Sequence, residues 1–376
     1  MKTIKIKLKK GGYSVHVGVS LADLGKNLKL HKPSNVLVVT SSRIYQYHSR
    51  ALIKGLKQAH LDPVFTMVPE GEQHKTIEQA NLLYKSCVRA ELDRNSMIIG
   101  FGGGVIGDLA GFTAATYLRG IPLIHVPTNL LSMVDSSIGG KTGVDLPEGK
   151  NLVGSFYQPQ MVWMDVSTLR TLPAEHWNNG MAEVIKYGII ADKNFFNFLE
   201  QALHVTGNTS FINKLLSKTH NAYQFGLSED QVEKIITTCA EIKARVVTID
   251  ELERKGKREI LNFGHTFGHA LETITKYEGY LHGEAVAVGM VIAARVAEEL
   301  GMFKSIDQVK RLLTAAHLPV DLKKRIDIDA MMAVMRKDKK VKKGKIRFVL
   351  PLKIGRVEIC ENVPEKLVRS VLKEFS

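Results

Sequence analysis

Three histidines lie close together in the segment from Arg258 to Glu284, which reads REILNFGHTFGHALETITKYEGYLHGE. They are His265, His269 and His282. Neutral imidazole is the commonest protein ligand for transition metals, and a carboxylate often completes such a site. On a helix, His265 and His269 would lie one turn apart on the same face, as metal-binding pairs do. The spacing predicts a metal site, and two core histidines held by hydrogen bonds are the alternative.

A carboxylate earlier in the chain is a candidate for the acidic ligand that these histidines lack. Glu183 and Lys186 lie three residues apart, so a helix would place them on one face. Their neighbours within residues 181–185 are otherwise apolar. A carboxylate in such surroundings usually has a partner or a metal. A salt bridge between Glu183 and Lys186 at the surface is the alternative interpretation.

A glycine-rich segment, GFGGGVIGD at residues 100–108, directly follows the apolar run 97–99. Gly102, Gly104 and Gly107 match the pattern that lets a backbone approach a pyrophosphate at a helix amino terminus. The acidic residue that standard dinucleotide sites place about twenty positions farther on is missing. The pattern therefore favours a phosphate-binding turn, with a purely structural strand-to-helix turn as the alternative.

A second glycine-bounded stretch, PTNLLSMVDSSIGGKTG, covers residues 127–143. Its end resembles a P-loop, but Asp135 stands where that motif requires glycine, which excludes the kinase or ATPase interpretation. We predict a loop that presents Asp135, Lys141, Lys150 and Asn151 to phosphate or carboxylate groups. Solvated loop lysines are the alternative.

Composition narrows the possible classes of protein. The chain has 376 residues, enough for two domains. Its longest apolar run, Ala285 to Ala294, is too short to cross a bilayer, and the amino terminus lacks the apolar core of a secretory signal. Three widely separated cysteines predict a reducing compartment without disulfides. We therefore expect a cytoplasmic protein that does not bind membranes.

The net charge of +14 suits nucleic acid, an anionic membrane surface or a small anionic substrate. Eight of the twelve residues 336–347 are Lys or Arg. Such runs usually form a solvated basic face. Because the sequence has no RNA-binding strand signature and no zinc-finger spacing, specific nucleic-acid binding is not predicted.

Apolar runs and periodicity predict the elements that must position these residues. Residues 2–8 and 13–19 alternate as a hairpin would, and helical patterns at 45–60 and 76–92 lie between short apolar runs typical of buried strands. These runs are 36–39, 64–68, 97–99, 121–126 and 161–164. We predict an α/β domain over residues 1–172 and a mainly helical domain over 173–376, with short β-like runs at 346–350 and 354–359.

Seven blocks taken together resemble the 3-dehydroquinate synthase family. They are EGEQHK (70–75), GGGVIGD (102–108), VDSSIGGKTG (134–143), GKN (149–151), MAEVIKYG (181–188), LNFGHTFGHA (261–270) and HGEAVAVGM (282–290). The resemblance implies a homodimer with an α/β NAD-binding domain and a helical metal domain, in a fold similar to that of the glycerol and iron-containing alcohol dehydrogenases.

The resemblance also implies residue roles. Zinc or cobalt would be bound by Glu183, His265 and His282, while His269 would lie beside the substrate and not bind the metal. Asn129 stands where the family usually has threonine. Because asparagine keeps a donor and an acceptor, we expect NAD still to bind there, with altered contacts. The implied NAD contacts are Glu70, Gly71, Glu72, Gln73, His74, Lys75, Gly104, Val105, Ile106, Gly107, Asp108, Thr128, Asn129, Lys141, Lys150, Thr168, Leu169, Arg170 and Thr171.

The family converts an anionic sugar phosphate, 3-deoxy-D-arabino-heptulosonate 7-phosphate, to 3-dehydroquinate in the shikimate pathway of aromatic amino-acid biosynthesis. NAD oxidises the substrate transiently, phosphate leaves by β-elimination, and reduction and an intramolecular aldol step follow. Arg258 would bind the carboxylate; Lys141, Asn151 and Asn262 would bind the phosphate end; Arg119 would reach the neighbouring subunit's substrate. The implied substrate contacts are Asp135, Lys141, Asn151, Lys186, Lys243, Arg258, Asn262 and His269, with Lys339 or Lys340.

Three other functions remain as alternatives. A related sugar-phosphate cyclase would act on a substrate without the carboxylate, but Arg258 and Asn262 favour the carboxylate-bearing one. A glycerol-dehydrogenase-like enzyme would release NADH, and the anion-binding groups of residues 135–151 argue against it. A basic nucleic-acid-binding protein would use residues 336–347 and show a steep salt dependence.

Overall fold

The computed structural model describes residues 1–9, 11–28, 32–204, 223–276, 278–337 and 346–375. The chain divides into two compact units. Unit 1 comprises Met1–Pro173 and Val232–Leu252, and unit 2 comprises Ala174–Gln231 and Glu253–Ser376. The first change of unit lies beside the boundary that the sequence predicts at Pro173. The segment Val232–Leu252 belongs to unit 1 although it lies far beyond that point in the sequence.

A seven-stranded sheet is the centre of unit 1 within the described residues, in the order β1-β2-β9-β6-β5-β3-β4. Only the predicted amino-terminal hairpin, β1 with β2, is antiparallel, and the other pairs are parallel. The α/β prediction is confirmed. The strands are β1 Lys2–Lys7, β2 Gly12–Val17, β3 Val36–Thr40, β4 Pro63–Met67, β5 Met97–Gly102, β6 Leu123–Pro127 and β9 Met161–Met164.

Apolar cores cover both faces of this sheet, which explains why its inner strands are continuous apolar runs. In β3, Leu37 and Val39 belong to one core and Val36 and Val38 to the other. The first core includes residues of two helices, α3 and α4, and the second includes residues of α1 and α2. These helices are α1 Leu24–Leu28, α2 Ser42–Gln58, α3 Ile77–Arg89 and α4 Gly104–Thr116.

The stretch after β6 differs from the predicted glycine-bounded loop. A π-helical turn covers Ser132–Ser136, and an antiparallel hairpin of β7 Lys141–Leu146 and β8 Gly149–Phe156 follows. The loop prediction is therefore wrong from residue 141 onward. The hairpin pairs Gly143 with Gly154, two residues of low strand propensity, so the sequence lacks a strong strand pattern there.

Unit 2 is mainly helical, and the β-like runs predicted near its carboxy terminus form the antiparallel hairpin β10–β11. A further helix, α7, runs from Glu229 to Ile249, and most of it lies in unit 1. The helices of unit 2 are α5 Ala174–Ala191, α6 Lys193–Ala202, α8 His265–Ile274, α9 His282–Glu299, α10 Ile306–Ala315, α11 Ile328–Lys337 and α12 Glu365–Glu374; the strands are β10 Phe348–Lys353 and β11 Arg356–Cys360.

Helix α9 is buried along most of its length and packs closely against α8. At Gly289 any side chain would collide with the backbone oxygen of Gly264, the residue that precedes α8. Glycine therefore permits the close approach that brings the histidines of both helices together. Among the helices of the described ranges, none is long and apolar enough to span a bilayer.

Candidate functional site

The candidate metal centre lies within unit 2, where two imidazoles converge on one carboxylate. His265 Nε2 lies 3.5 Å from Glu183 Oε1, and His282 Nε2 lies 3.7 Å from the same oxygen. One ligand atom from each of the three residues lies within 4.8 Å of the others. Two histidines and a carboxylate are a donor set that binds zinc and similar divalent metals. The three residues therefore fit a metal ion.

Three helices position these ligands. Glu183 lies in the middle of α5 and is 1% exposed, between the buried residues Ala182 and Val184. His265 is the first residue of α8 and His282 is the first residue of α9. The Asn179 side chain of α5 accepts a hydrogen bond from the backbone N–H of Gly283, which ties the start of α9 to α5. Residues distant in sequence thus meet at one buried carboxylate.

The charges at this centre favour a cation. Lys186 forms a buried ion pair with Glu183 one turn away on α5, so the surface alternative for that pair is wrong. Burial alone would lower the pKa of His282, but hydrogen bonds and negative charge from Glu183 and Glu272 raise that pKa to about 10. Glu183 and Glu272 therefore stabilise a positive charge on the His282 ring.

A second group of possible ligands overlaps the first. It consists of His269, Glu272 and His282. His282 offers a different nitrogen to each group, because Nδ1 lies 3.5 Å from Glu272 and Nε2 faces Glu183. His269 lies on α8 with its ring centre 5.2 Å from that of His265, so the predicted one-turn spacing holds. The two residues nevertheless do not share a candidate metal group among the described residues.

Other predicted substrate residues of unit 2 lie around a short 3₁₀ helix, Lys257–Asn262, that precedes α8. Arg258 is 2% exposed, and Asn262 ends the 3₁₀ helix. Glu259, which follows Arg258, accepts a hydrogen bond from Arg347 at 3.0 Å. Lys339 and Lys340 lie outside the described residues, as does most of the basic run 336–347.

The glycine-rich turn of unit 1 joins β5 to α4 and borders a small cavity. At Gly103 a side chain would approach Asn129 Nδ2 to 2.5 Å, so a larger residue would not fit. The turn presents the amino terminus of α4, where backbone N–H groups and the helix dipole favour an anion. The cavity lining consists of Gly100, Gly102, Gly103, Gly104, Gly107, Asp108, His125, Pro127, Ser132, Ser136 and Ser137.

Lys75 connects this turn to the β7–β8 hairpin. Its Nζ lies 2.5 Å from Asp108 Oδ2 and 2.5 Å from Asn151 Oδ1, and its side chain is 4% exposed. Burial would lower the pKa of Lys75, but the carboxylates of Asp108 and Glu72 raise it above its usual value. A residue predicted to contact NAD therefore directly contacts one predicted to contact substrate.

The remaining predicted residues of unit 1 lie on several elements. Lys243 of α7 contacts Asp135 in the π-helical turn, Lys141 begins β7, and Lys150 lies in β8. Arg119 lies in an exposed turn at a positive φ of 68°. Asn129 accepts hydrogen bonds from Ser132, so its oxygen is used within the protein.

Three further parts of the predicted NAD set lie outside the cavity lining. Glu70 accepts a hydrogen bond from Ser41 at 3.0 Å, and Thr128 directly follows β6. The segment Thr168, Leu169, Arg170 and Thr171 belongs to the 3₁₀ helix Val166–Thr171, where Thr171 contacts His48. The contact of these residues with NAD stays a prediction.

Two residues at these sites received no role from the sequence. Glu272 follows His269 by three residues on α8, a spacing that places both on one face, but spacing cannot show the contact with His282. His125 lies in the buried run of β6 beneath the glycine turn. No sequence signal separates it from an ordinary strand residue.

Comparisons with known proteins agree with this geometry. The family models described as 3-dehydroquinate synthase N-terminal and C-terminal match residues 65–179 and 180–341. The chain is 44% identical to 3-dehydroquinate synthase of Symbiobacterium thermophilum, covering 95% of this chain and 96% of that protein. It is 42% identical to that of Desulforamulus reducens over the full length of both.

Solved structures share the fold. A 2-deoxy-scyllo-inosose synthase complexed with carbaglucose-6-phosphate, NAD⁺ and Co²⁺ is 25% identical, with a TM-score of 0.81 and full coverage of both chains. A probable glycerol dehydrogenase from Sinorhizobium meliloti is 17% identical, with a TM-score of 0.63 and 94% coverage of each chain. The predicted similarity to the glycerol dehydrogenase fold is confirmed. Both family models and the full-length relatives show that the chain belongs to the 3-dehydroquinate synthase family.

Proposed function

We propose that this protein converts 3-deoxy-D-arabino-heptulosonate 7-phosphate to 3-dehydroquinate and phosphate, as an NAD- and metal-dependent carbon–oxygen lyase of aromatic amino-acid biosynthesis. The observation that carries the proposal is the convergence of His265 and His282 on Glu183 in a chain related over its full length to 3-dehydroquinate synthases. The buried donor set supports a metal-dependent reaction on an oxygen-rich substrate.

Glu183, His265 and His282 would hold one zinc or cobalt ion, which supplies a Lewis acid that makes neighbouring substrate hydroxyls easier to deprotonate. Three protein ligands leave room for substrate oxygens. Lys186 partly neutralises Glu183 and provides a cation beside the substrate. His269 would form a hydrogen bond with the substrate and handle a proton there.

The glycine turn would hold NAD, which when bound would supply reversible hydride transfer with the substrate alcohol. The amino terminus of α4 would bind its pyrophosphate. Lys75 would hold Asp108 and Asn151 in place on either side of that site. Thr128, Asn129, Lys150 and the segments 70–75 and 168–171 would complete the cofactor contacts.

The cationic and amide side chains would bind the two anionic ends of the substrate. Arg258 would form a bidentate pair with the carboxylate. Lys141, Asn151 and Asn262 would hold the phosphate end, and Lys243 would keep Asp135 oriented toward substrate. Net redox is zero, since the hydride removed from the substrate returns to it.

We further propose a cytoplasmic homodimer in which Arg119 reaches the substrate of the neighbouring subunit. Among the described residues, Cys87, Cys239 and Cys360 are not joined by a disulfide, as expected for a reducing compartment. The exposed position of Arg119 leaves its guanidinium accessible to a second subunit.

The first test is phosphate release from 3-deoxy-D-arabino-heptulosonate 7-phosphate, with and without NAD, before and after chelation of metal. We expect release that needs both cofactors, yields dehydroquinate and accumulates no NADH. Accumulated NADH would indicate a dehydrogenase. A metal-loaded protein that releases no phosphate from 3-deoxy-D-arabino-heptulosonate 7-phosphate but converts sedoheptulose 7-phosphate would instead indicate a cyclase whose substrate lacks the carboxylate.

The metal assignment has its own test. His265→Ala should lose both activity and bound zinc, since it removes one of three ligands. His176→Ala is the matched control, because His176 is half-buried in unit 2 and lies outside both candidate metal groups. An active, zinc-free His265→Ala protein would overturn the ligand assignment.

A further inference from the structure

Each imidazole of the candidate metal centre has its second ring nitrogen next to an oxygen acceptor. His265 Nδ1 lies 3.1 Å from the backbone oxygen of Phe263. His282 Nδ1 lies 3.5 Å from Glu272 Oε2. The Nε2 atoms of both rings face Glu183. The two rings therefore have the same arrangement, with Nδ1 toward an acceptor and Nε2 toward the candidate metal.

This arrangement determines which nitrogen is available as a ligand. A proton on Nδ1 that points to an acceptor leaves the Nε2 lone pair free to bind a metal. A carboxylate acceptor also makes the imidazole a stronger ligand, and such outer partners typically change metal affinity 10- to 100-fold. Glu272 is the carboxylate that faces His282 Nδ1, whereas the neutral carbonyl of Phe263 faces His265 Nδ1.

The fold gives Glu272 few other positions. Its side chain is 7% exposed on α8, in the helix turn that follows His269. Helices α8 and α9 pack closely, since a side chain at Gly268 would lie 3.0 Å from the Ala285 oxygen, and Glu272 lies opposite His282. A buried carboxylate in this place needs a hydrogen-bond donor, and the His282 ring offers one.

We propose that Glu272 is a positioning residue of the metal centre, which holds the His282 ring by its Nδ1–H so that Nε2 binds the ion. The proposal rests on the metal site of the proposed function. In the competing arrangement Glu272 would itself bind a metal with His269 and His282. That arrangement would use His282 Nδ1 and would leave out Glu183 and His265.

The test is titration of metal-depleted protein with Co²⁺ against a competing chelator, together with the visible absorption of bound Co²⁺. Glu272→Leu removes the acceptor, while Glu272→Gln keeps an oxygen that accepts the Nδ1 proton. Glu299→Gln is the control for lost charge, since Glu299 pairs with Arg295 at the far end of α9, about 25 Å along the axis.

We expect Glu272→Leu to weaken Co²⁺ binding by about 10- to 100-fold, Glu272→Gln to weaken it less, and Glu299→Gln to match the unaltered protein. At saturation every variant should bind one Co²⁺ with an unchanged absorption spectrum, because the ligands are unchanged. Unchanged affinity in both Glu272 variants would overturn the proposal. If Glu272→Leu does not fold, the proposal is overturned when Glu272→Gln and Glu299→Gln bind Co²⁺ with the same affinity.

A changed Co²⁺ spectrum in the Glu272 variants, with an unchanged one in Glu183→Gln, would make Glu272 a ligand and also overturn the proposal. Failure of the proposed function gives a different result. In that case the unaltered protein itself would bind no Co²⁺, and the positioning role would be lost with the metal site.

Discussion

Lys243 Nζ lies 2.7 Å from Asp135 Oδ1 and 2.5 Å from the backbone oxygen of Asp135. The two residues are 108 positions apart in the sequence. Lys243 is buried on α7, whereas Asp135 lies in the π-helical turn after β6. One lysine thus satisfies both a carboxylate and a carbonyl, and it holds an irregular turn that ordinary helical hydrogen bonds would not fix.

Replacing this lysine should destabilise unit 1. Lys243→Met keeps the length of the side chain but leaves Asp135 without its cation, which should lower the free energy of unfolding by about 1–3 kcal/mol. Urea denaturation can be followed by Trp163 fluorescence in a Trp177→Phe background, since the chain has two tryptophans. Lys234→Met, at an exposed position of the same helix, is the control.

A double-mutant cycle separates the ion pair from general packing. If the pair is responsible, Lys243→Met should cost less in an Asp135→Asn background than in the unaltered protein. Equal costs in both backgrounds would contradict the prediction.

Lys75 should control NAD binding through Asp108. Asp108 lines the cavity at the glycine turn, and Lys75 Nζ lies 2.5 Å from its Oδ2 and neutralises the carboxylate. In Lys75→Met an uncompensated carboxylate would face the anionic pyrophosphate, so the Kd for NAD should rise by about tenfold or more, equal to about 1.4 kcal/mol. Equilibrium binding of NADH, measured by fluorescence, gives the Kd.

The charge explanation has a specific control. Asp108→Asn combined with Lys75→Met removes the unpaired negative charge and should restore part of the NAD affinity. If the double variant binds as weakly as Lys75→Met alone, the effect of Lys75 is steric and the electrostatic prediction is wrong.

His125 should make the stability of unit 1 sensitive to acid. It is 5% exposed on β6, and burial lowers its pKa to about 4. The unfolded chain takes up a proton near pH 6.5, before the folded protein does, so stability present above pH 6.5 falls as the pH decreases toward 4. As the pH falls to 4, the loss in the free energy of unfolding that comes from His125 reaches about 3 kcal/mol.

Urea denaturation at pH 7.5 and pH 5 measures this loss. His125→Gln cannot titrate, so its stability should fall less between the two pH values than that of the unaltered protein. His176→Gln, at a half-buried position, should behave like the unaltered protein. A fall in His125→Gln as large as in the unaltered protein would mean that other groups cause the acid sensitivity.

The sequence was most informative where a residue's neighbours along the chain determine its environment. Val36–Val39 predicted a strand covered on both faces because every residue of the run is apolar, and both cores confirm it. The β7–β8 hairpin was missed since Gly143 and Gly154, which face each other across it, lack the side chains that produce a strand pattern.

Contacts between segments that are distant in the chain could not be predicted from the sequence. Helical periodicity predicted a mainly helical domain over residues 173–376 but could not show that Val232–Leu252 belongs to unit 1. Spacing placed Glu272 and His269 on one helix, whereas the contact of Glu272 with His282 depends on how closely two helices pack. Close packing is a tertiary property, and the glycines that allow it resemble ordinary helix-weakening residues in the sequence.

Arg119 should act across the subunit interface of the proposed homodimer, and complementation between two inactive variants can test this. Arg119→Ala should lose the cation that reaches the partner subunit's substrate, and Lys186→Ala should lose the cation beside its own metal centre. Each variant alone should be nearly inactive, with the oligomeric state unchanged in analytical ultracentrifugation.

Co-expression of the two variants gives mixed dimers in which one site has both an intact Lys186 and the partner subunit's intact Arg119. With random pairing, half of the dimers are mixed and each has one complete site, so about one quarter of the unaltered activity should return. If Arg119 served its own subunit, every site of a mixed dimer would lack one of the two cations and no activity would return. The activity of the co-expressed variants therefore determines both the existence of a functional dimer and the direction in which Arg119 acts.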